Sequence, residues 1–271
     1  MGGCLPALYD LCGRRIMKPN ALVELTRFLG QPQLNYVVVG EGNTSQRIDE
    51  DTFWIKASGQ QMQNIEAEGF VAVRFAPIRD LLNNPPDSAD AIQEAMNNAK
   101  ADSTVTTRPS VEVTFHAMLL EECGVQVIAH THPVAVNRIL CSSRAEQFAA
   151  NRVFPDEVVL CGPRSVFVPY VDPGLPLALA IRDQTHAYIR QYGEPPKVIL
   201  LANHGLIVLG QTHVEVRNIT AMAVKAAEIF AGACMVGEPV FMSEADIMHI
   251  YKRPDEIYRL RQFVSTNPPH A

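Results

Sequence analysis

Apolar and polar positions along the chain fall into blocks that predict short strands alternating with helices. Near the start, apolar residues recur on one face of a helix that Asn20 caps and Gly30 ends. The apolar runs at 36–39 and 52–57 predict two strands, and the small and polar residues of 40–45 predict a turn-rich loop between them. The first part of the chain therefore predicts a helix followed by a hairpin.

The same alternation continues to about residue 236. The predicted elements are, in chain order, a helix capped by Ser110 and ended by Gly124, a buried strand over 125–132, two short strands within 158–170, a helix over 177–192, strands over 198–201 and 206–209, and a helix with a Thr212–Glu215 capping box that reaches about Met235. Between the strand over 52–57 and the helix capped by Ser110, residues 80–107 contain a polar helix near 92–99 and predict a mobile insertion.

The spacing of the strands decides the fold class. Several predicted strand pairs are so close in sequence that they must form antiparallel hairpins. The pattern thus predicts one α/β domain with a mixed or mostly antiparallel sheet, rather than a doubly wound parallel sheet. No GxGxxG segment follows a strand, which disfavours a dinucleotide-binding fold.

Composition narrows the function classes. The 271 residues are 47% hydrophobic and 19% charged, with a formal net charge of −6. This balance argues against a general nucleic-acid or anionic-membrane binder, and no apolar run approaches the roughly 20 residues that span a bilayer. We expect a loose leader over 1–18 without a secretory signal. The six cysteines form no CxxC pair, which favours reduced thiols in a cytoplasmic protein.

Three histidines are the main chemical signal. His130 and His132 are two residues apart at the end of an apolar strand, so both side chains should point to the same face. The ring nitrogens of such a pair could bind a shared metal, or the two neutral rings could form hydrogen bonds to backbone carbonyls. His204 lies at a break in another apolar strand, where Gly205 permits a turn.

Three imidazoles with an open fourth position are typical of a catalytic zinc site, and Co²⁺, Mn²⁺ or Fe²⁺ are alternatives. The other histidines show no grouping and are interpreted as surface or structural residues: His116, His186, His213, His249 and His270. Glu112, in the first turn of a predicted helix, is favoured there by the helix dipole. Beside a metal it would be a fourth ligand or a general base. The loops at 42–45 and 58–59 are either simple turns or anion-binding nests.

Six segments in this order resemble the class II aldolase/adducin family over roughly residues 20–236. The segments are Gly42-Asn43-Thr44-Ser45, Ala57-Ser58-Gly59, Pro109-Ser110-Val111-Glu112, His130-Thr131-His132-Pro133, Val168-Pro169-Tyr170 with Pro173-Gly174, and Leu201-Ala202-Asn203-His204-Gly205-Leu206-Ile207. The resemblance implies a three-layer α/β/α domain with a central, mostly antiparallel sheet. It also implies a cyclic homotetramer whose active sites lie at subunit borders. The whole chain, 1–271, is then one domain with a C-terminal tail over 237–271.

The resemblance also implies roles for particular residues. His130, His132 and His204 would bind zinc, and Glu112 would act as acid and base. Substrate or phosphate would be bound by Asn43, Ser58, Gly59 and Ser110. Tyr251 and Tyr258, in the tail, are candidate proton donors to a neighbouring subunit.

The expected activity is that of a zinc-dependent aldehyde-lyase that cleaves or forms a C–C bond of a ketose or ketose 1-phosphate through an enediolate. Val111 stands where the sugar-phosphate aldolases have a second serine, so a strict phosphate requirement is not implied; Lys56 or Arg108 could supply charge instead. The alternatives are a metal-dependent decarboxylase or dehydratase of the same fold, and a non-catalytic adducin-like interaction domain.

Overall fold

A seven-stranded sheet forms the centre of the computed structural model, which describes residues 18–264. The strands are β1 (Asn43–Arg47), β2 (Thr52–Lys56), β3 (Phe70–Arg74), β4 (Val127–Thr131), β5 (Val166–Val168), β6 (Val198–Leu201) and β7 (Gly205–Gly210). They lie in the order β3-β2-β1-β4-β7-β6-β5, and only β5 and β6 are parallel neighbours. All other neighbouring pairs are antiparallel, which confirms the predicted mixed, mostly antiparallel sheet.

Helices cover both faces of this sheet. They are α1 (Asn20–Leu29), α2 (Phe75–Asn83), α3 (Ala89–Asn98), α4 (Val113–Glu122), α5 (Val134–Leu140), α6 (Ala145–Ala150), α7 (Pro155–Cys161), α8 (Leu175–Tyr192), α9 (His213–Val236), α10 (Glu244–Lys252) and α11 (Pro254–Val264). Short 3₁₀ turns occur at Pro32–Leu34, Met62–Asn64 and Ala67–Gly69.

Two hydrophobic cores follow from the period-two alternation of the central strands. On β4, Ile128 packs with α2, α4 and α8, whereas Val127 and Ala129 point to the opposite face and pack with α1, α5 and α9. Strands β6 and β7 divide their side chains between the two cores in the same way. A sheet buried on both faces between two helical layers is the three-layer α/β/α arrangement that the resemblance implied.

The prediction of a strand over residues 36–39 is wrong. Residues 36–39 form no strand, and Val38 and Val39 are 61% and 75% exposed. The strand begins instead at Asn43, inside the segment predicted as a loop. Its sequence is Asn-Thr-Ser-Gln-Arg, so its buried half is held by polar contacts that hydrophobic periodicity does not reveal.

A second error lies in the segment 158–170. Only its second half contains a strand, β5, while residues 158–161 belong to helix α7. Pro155 at the first position of α7 favours helix initiation, and Gly162 ends the helix with a φ of 81°. Strand β3 and helix α2 were not predicted.

Helix caps differ from expectation at two of three sites. Asn20 is the first helical residue of α1, and Pro19 occupies the cap position without a side-chain hydrogen bond. Ser110 precedes α4, whose cap position is Glu112. The third cap is confirmed, because Thr212 Oγ1 accepts a hydrogen bond of 3.1 Å from the backbone N–H of Glu215.

The end of the 80–107 insertion is attached to the edge of the sheet. Helix α3 confirms the predicted polar helix, and the chain after it forms an antiparallel bridge between Lys100 and Val73 of β3. Arg74 N donates to Ala99 O at 2.8 Å, and Ala101 N donates to Ala72 O at 2.8 Å. The segment 99–101 therefore covers part of the open edge of β3.

Helix α9 alone, among the described residues, is long and apolar enough to cross a membrane by length and composition. Val216, Ile219, Ala227 and Phe230 on one face of it belong to the second core, as in a core helix of a folded domain. Most of the predicted leader lies outside the described residues, as do Cys4 and Cys12. The described cysteines, Cys123, Cys141, Cys161 and Cys234, are free thiols.

Candidate active site

The order of the strands brings the three histidines together. Strand β4 lies between β1 and β7, and His130 is paired with Asn43 on one side and with Ile207 on the other. His132 follows directly after β4, and His204 lies in the turn between β6 and β7. Because β4 and β7 are antiparallel, the end of β4 meets the start of β7. The β6–β7 turn is thereby placed beside both earlier histidines.

Tight backbone packing shapes the turn that carries His204. Asn203 adopts a left-handed conformation with a φ of 54°, which asparagine tolerates better than most residues. Asn137 Nδ2 donates to His204 O at 3.0 Å. At Gly205, a Cβ would lie 2.7 Å from Thr131 O and 2.7 Å from His132 Cδ2. Glycine is thus required at position 205 because the neighbouring backbone approaches closely, while Asn203 adopts the positive φ of the turn.

The three imidazoles form a compact group. Their ring centroids are 4.8, 4.9 and 5.0 Å apart, and one candidate ligand atom from each lies within 4.8 Å of the others. His130 Nε2 and His132 Nε2 are 3.0 Å apart. Burial is the main cause that lowers the pKa of His130 to about 3 and that of His132 to about 4. Both rings are therefore neutral near pH 7, which is the form that binds a metal.

The second ring nitrogens of His130 and His132 face oxygen atoms, whereas His204 Nδ1 is buried without a hydrogen-bond partner among the described residues. His130 Nδ1 lies 3.1 Å from Leu206 O, and a carbonyl can only accept, so Nδ1–H donates and Nε2 keeps its lone pair. His132 Nδ1 lies 3.8 Å from the Glu41 carboxylate. Glu41 is itself held by a 2.8 Å bond from Val38 N. The donor set of neutral imidazoles fits Zn²⁺ and related divalent ions.

Glu112 faces this group with one oxygen and is anchored by the other. Its Oε1 lies 3.5 Å from His130 Nε2 and 3.4 Å from His204 Nε2. Its Oε2 accepts a 2.6 Å hydrogen bond from Asn43 Nδ2. The side chain is buried, at the cap position of α4 rather than inside its first turn. The carboxylate is therefore positioned to act on a group held at the histidines or to become a further ligand.

Of the four expected substrate-binding residues, the structure brings two to Glu112. Asn43 and Ser110 are buried, and Asn43 Nδ2 lies 3.2 Å from Ser110 Oγ. Ser58 and Gly59 are exposed in the turn after β2. The bridge between Ala57 and Pro109 and the 2.9 Å bond from Ser58 N to Arg108 O place this turn beside the loop that carries Ser110.

Lys56, at the end of β2, is almost fully buried. Its Nζ donates to Gln60 O at 2.7 Å. Burial lowers the pKa of this ammonium to about 8, and the charge of Glu112 acts in the opposite direction. The ammonium group of Lys56 is thus close enough to the Glu112 carboxylate for the two charges to interact.

His116 was expected to be a surface or structural residue, and the structure places it beside the site. It is completely buried and contacts Ser45 and Asn43. Burial lowers its pKa well below the usual range, so the ring is neutral. Its position four residues after Glu112, and thus on the same face of the helix, was the available sequence signal.

The tail tyrosines lie elsewhere in this chain. Tyr251, on α10, donates a 2.6 Å hydrogen bond to Glu194 Oε1. Tyr258, on α11, is largely exposed. Their suggested role toward a neighbouring subunit stays a prediction.

Fold and site together define a three-layer α/β/α protein with a group of three histidines that could hold a metal ion. The family model for the "Class II Aldolase and Adducin N-terminal domain" matches residues 20–231. The chain belongs to this family.

Three known proteins are similar to the chain. It is 28% identical over 201 residues to "Uncharacterized oxidoreductase YuxG" of Bacillus subtilis (strain 168), which covers 70% of this chain but only 26% of that protein. It is 23% identical over 196 residues to a 3-oxo-tetronate 4-phosphate decarboxylase of Haemophilus influenzae, covering 72% of this chain and 79% of the relative. A solved L-fuculose 1-phosphate aldolase shares the fold, with a TM-score of 0.64, 16% identity and coverage of 88% of this chain and 97% of its own.

Proposed function

We propose that this protein is a metal-dependent aldehyde-lyase that cleaves or forms a C–C bond next to the carbonyl of a ketose or ketose 1-phosphate. One observation carries the proposal: the Glu112 carboxylate lies 3.4 to 3.5 Å from the Nε2 atoms of two histidines in the three-histidine group. A base beside a metal site is the arrangement that enediolate chemistry requires. The similarity of the fold to that of an L-fuculose 1-phosphate aldolase supports it.

The roles of the residues follow from their contacts. His130, His132 and His204 would hold Zn²⁺, or Co²⁺, Mn²⁺ or Fe²⁺ in its place. When bound, such an ion acts as a Lewis acid and stabilises the negative charge that develops on the substrate oxygens of an enediolate. Glu112 takes up or returns the proton at the substrate carbon, and Asn43 holds its second oxygen during this transfer. His130, Glu112 and Asn43 are buried, which excludes water from their side of the site and strengthens the electrostatic interactions there, whereas His132 and His204 are partly exposed.

The far end of the substrate would be bound by Ser110, Ser58 and Gly59. Asn43, the fourth expected binding residue, lies at the border of this region, with its amide bonded to Glu112, Ser110 and His116. Val111 is half-exposed beside these residues and offers no hydroxyl. Substrates without phosphate are therefore included in the proposal. We further propose that the protein assembles as a homotetramer, as the resemblance implies.

Decarboxylation is the second candidate. It is favoured by the similarity to the 3-oxo-tetronate 4-phosphate decarboxylase, and loss of CO₂ beside a carbonyl leaves the same kind of enediolate. A dehydratase would use the same groups. An adducin-like role without chemistry is disfavoured, because the three histidines and Glu112 are all in place.

Proton NMR in heavy water tests the proposal. Zinc-loaded protein is incubated separately with dihydroxyacetone phosphate and with dihydroxyacetone, and the His204→Ala variant is the control. Loss of one carbinol hydrogen from the phosphate supports a ketose 1-phosphate lyase, and loss from dihydroxyacetone alone supports a non-phosphorylated substrate. No exchange at full metal occupancy rejects the lyase and leaves decarboxylation, tested by CO₂ release from 3-oxo acids. Exchange that survives in His204→Ala rejects the proposed site.

A further inference from the structure

A row of buried hydrogen bonds runs from β1 to Glu112. Ser45 Oγ lies 2.7 Å from His116 Nδ1, and His116 Nε2 contacts Asn43 Oδ1 through a hydrogen bond. Asn43 Nδ2 then donates to Glu112 Oε2 at 2.6 Å. All four side chains are buried, so no exposed group competes for these bonds. The carboxylate at the end of the row is the one proposed to move the proton.

The backbone explains why one imidazole can reach two residues of β1. Asn43 and Ser45 are two positions apart on the strand, so their side chains point to the same face. Helix α4 lies over this face and presents His116 between them. The Phe115 ring stacks on His116 with the centroids 4.6 Å apart and meets His130 edge-on at 5.7 Å. The imidazole is thus held both by its nitrogens and by its ring face.

The chemistry of the groups fixes the direction of every bond in the row. A carboxylate only accepts, so Asn43 turns its amide nitrogen toward Glu112 and its oxygen toward His116. An amide oxygen also only accepts, so His116 carries its hydrogen on Nε2. The lone pair is then on Nδ1, and the Ser45 hydroxyl must donate to it. His116 therefore has the opposite tautomer to His130, which donates from Nδ1.

We propose that His116 is a positioning residue, which locks the Asn43 amide in the orientation that anchors Glu112 Oε2 and leaves Oε1 directed at the substrate. Without the Nε2–H donor, the Asn43 amide can rotate by half a turn and present its oxygen to the carboxylate, which repels it. Glu112 then loses its anchor. The catalytic part of this inference rests on the proposed function, whereas the hydrogen-bond directions do not.

Two substitutions at His116 test the hydrogen bonds of its two ring nitrogens one at a time. Glutamine places an amide N–H where Nε2–H lies, so His116→Gln keeps the bond to Asn43 and loses the one to Ser45. Asparagine, which is shorter, reaches only the Nδ1 position, so His116→Asn keeps the bond to Ser45 and loses the one to Asn43. The two variants are alike in polarity and in the loss of the ring, which makes each the control for the other.

The readouts are kcat and KM for hydrogen exchange, zinc content and unfolding temperature. We expect kcat of His116→Asn to fall about tenfold or more, as part of the 10²–10⁴-fold that acid–base catalysis contributes, with KM nearly unchanged. His116→Gln should stay within about threefold of the wild type, since its donor to Asn43 is retained. Equal losses in both variants that follow their unfolding temperatures would show a structural role only and overturn the proposal. Full kcat in His116→Asn would overturn it as well.

A second measurement does not depend on activity. A long-range ¹H–¹⁵N correlation spectrum of zinc-loaded, ¹⁵N-histidine-labelled protein reports the tautomer of each neutral imidazole, and the signal lost in His116→Gln assigns His116. The Nε2–H tautomer supports the proposed role of His116 in orienting the Asn43 amide, and the Nδ1–H tautomer overturns it. If the wild type shows the Nε2–H tautomer but no hydrogen exchange, the orientation of Asn43 by His116 is supported and the proposed lyase function fails.

Discussion

Replacing Gly205 by alanine tests how closely the β6–β7 turn packs against the end of β4. The added Cβ would lie 2.7 Å from Thr131 O, 2.7 Å from His132 Cδ2 and 3.2 Å from His130 Cε1. The first of these contacts is with backbone, which cannot rotate away. We therefore expect β4 and the turn to separate, at an overpacking cost of about 2 to 3 kcal/mol.

Thermal unfolding of the metal-free protein measures this cost. For a chain of this size, each kcal/mol lowers the unfolding temperature by roughly 2 to 4 °C, so we expect a decrease of about 4 to 12 °C. Zinc affinity, measured by competition with a chromophoric chelator, should fall by about tenfold or more because the ring of His132 is displaced.

Gly232→Ala is the matched control. Gly232 lies inside α9 with open space around the position of a Cβ. Alanine is the better helix former by about 1 kcal/mol, so this variant should be as stable as the wild type or more stable. If Gly205→Ala unfolded at the same temperature as Gly232→Ala and bound zinc equally well, the argument from close approach would be refuted.

Four further results are expected. Glu112→Gln should lower hydrogen exchange by about 10²-fold or more, because a placed acid–base group contributes at least that much; zinc content should be unchanged, and NMR exchange rates check the prediction. The metal-free protein should lose stability as pH falls below about 6.5, because the lowered pKa values of His130 and His132 mean that the unfolded chain takes up protons first; a flat unfolding temperature between pH 7 and pH 4 would contradict this. Removing bound zinc with a chelator should destabilise the protein, by about 2.7 kcal/mol if zinc had been present at 100 times its Kd, and calorimetry measures the shift. Thr212→Ala should cost about 1 kcal/mol in urea unfolding through loss of its cap, while Thr106→Ala at an exposed loop position should cost less.

The central strands were predictable because their burial leaves a strong signal. The apolar runs of β6 and β7, close in sequence, predicted a hairpin, and the structure contains it. Strand β1 was missed because its buried side chains are polar and are satisfied by hydrogen bonds. In α7, Val158, Val159 and Leu160 form an apolar run too short to distinguish a buried helix from a buried strand.

The candidate site was predictable to a similar extent. The spacing of His130 and His132 placed both on one face, and the break around His204 marked the third histidine. His116 was missed because a single buried histidine has no periodic pattern of its own. Its role depends on Asn43 and Ser45, which lie about 70 residues earlier in the chain and meet it only after the sheet has formed.

The bridge between Lys100 and Val73 has a consequence for solubility. An uncovered edge strand offers free N–H and C=O groups to other chains and promotes aggregation. At β3, the segment 99–101 already occupies part of that edge with backbone hydrogen bonds. At the opposite edge, β5 is only three residues long. We therefore expect that a variant lacking residues 99–101 leaves the edge of β3 open and aggregates more readily than the wild type.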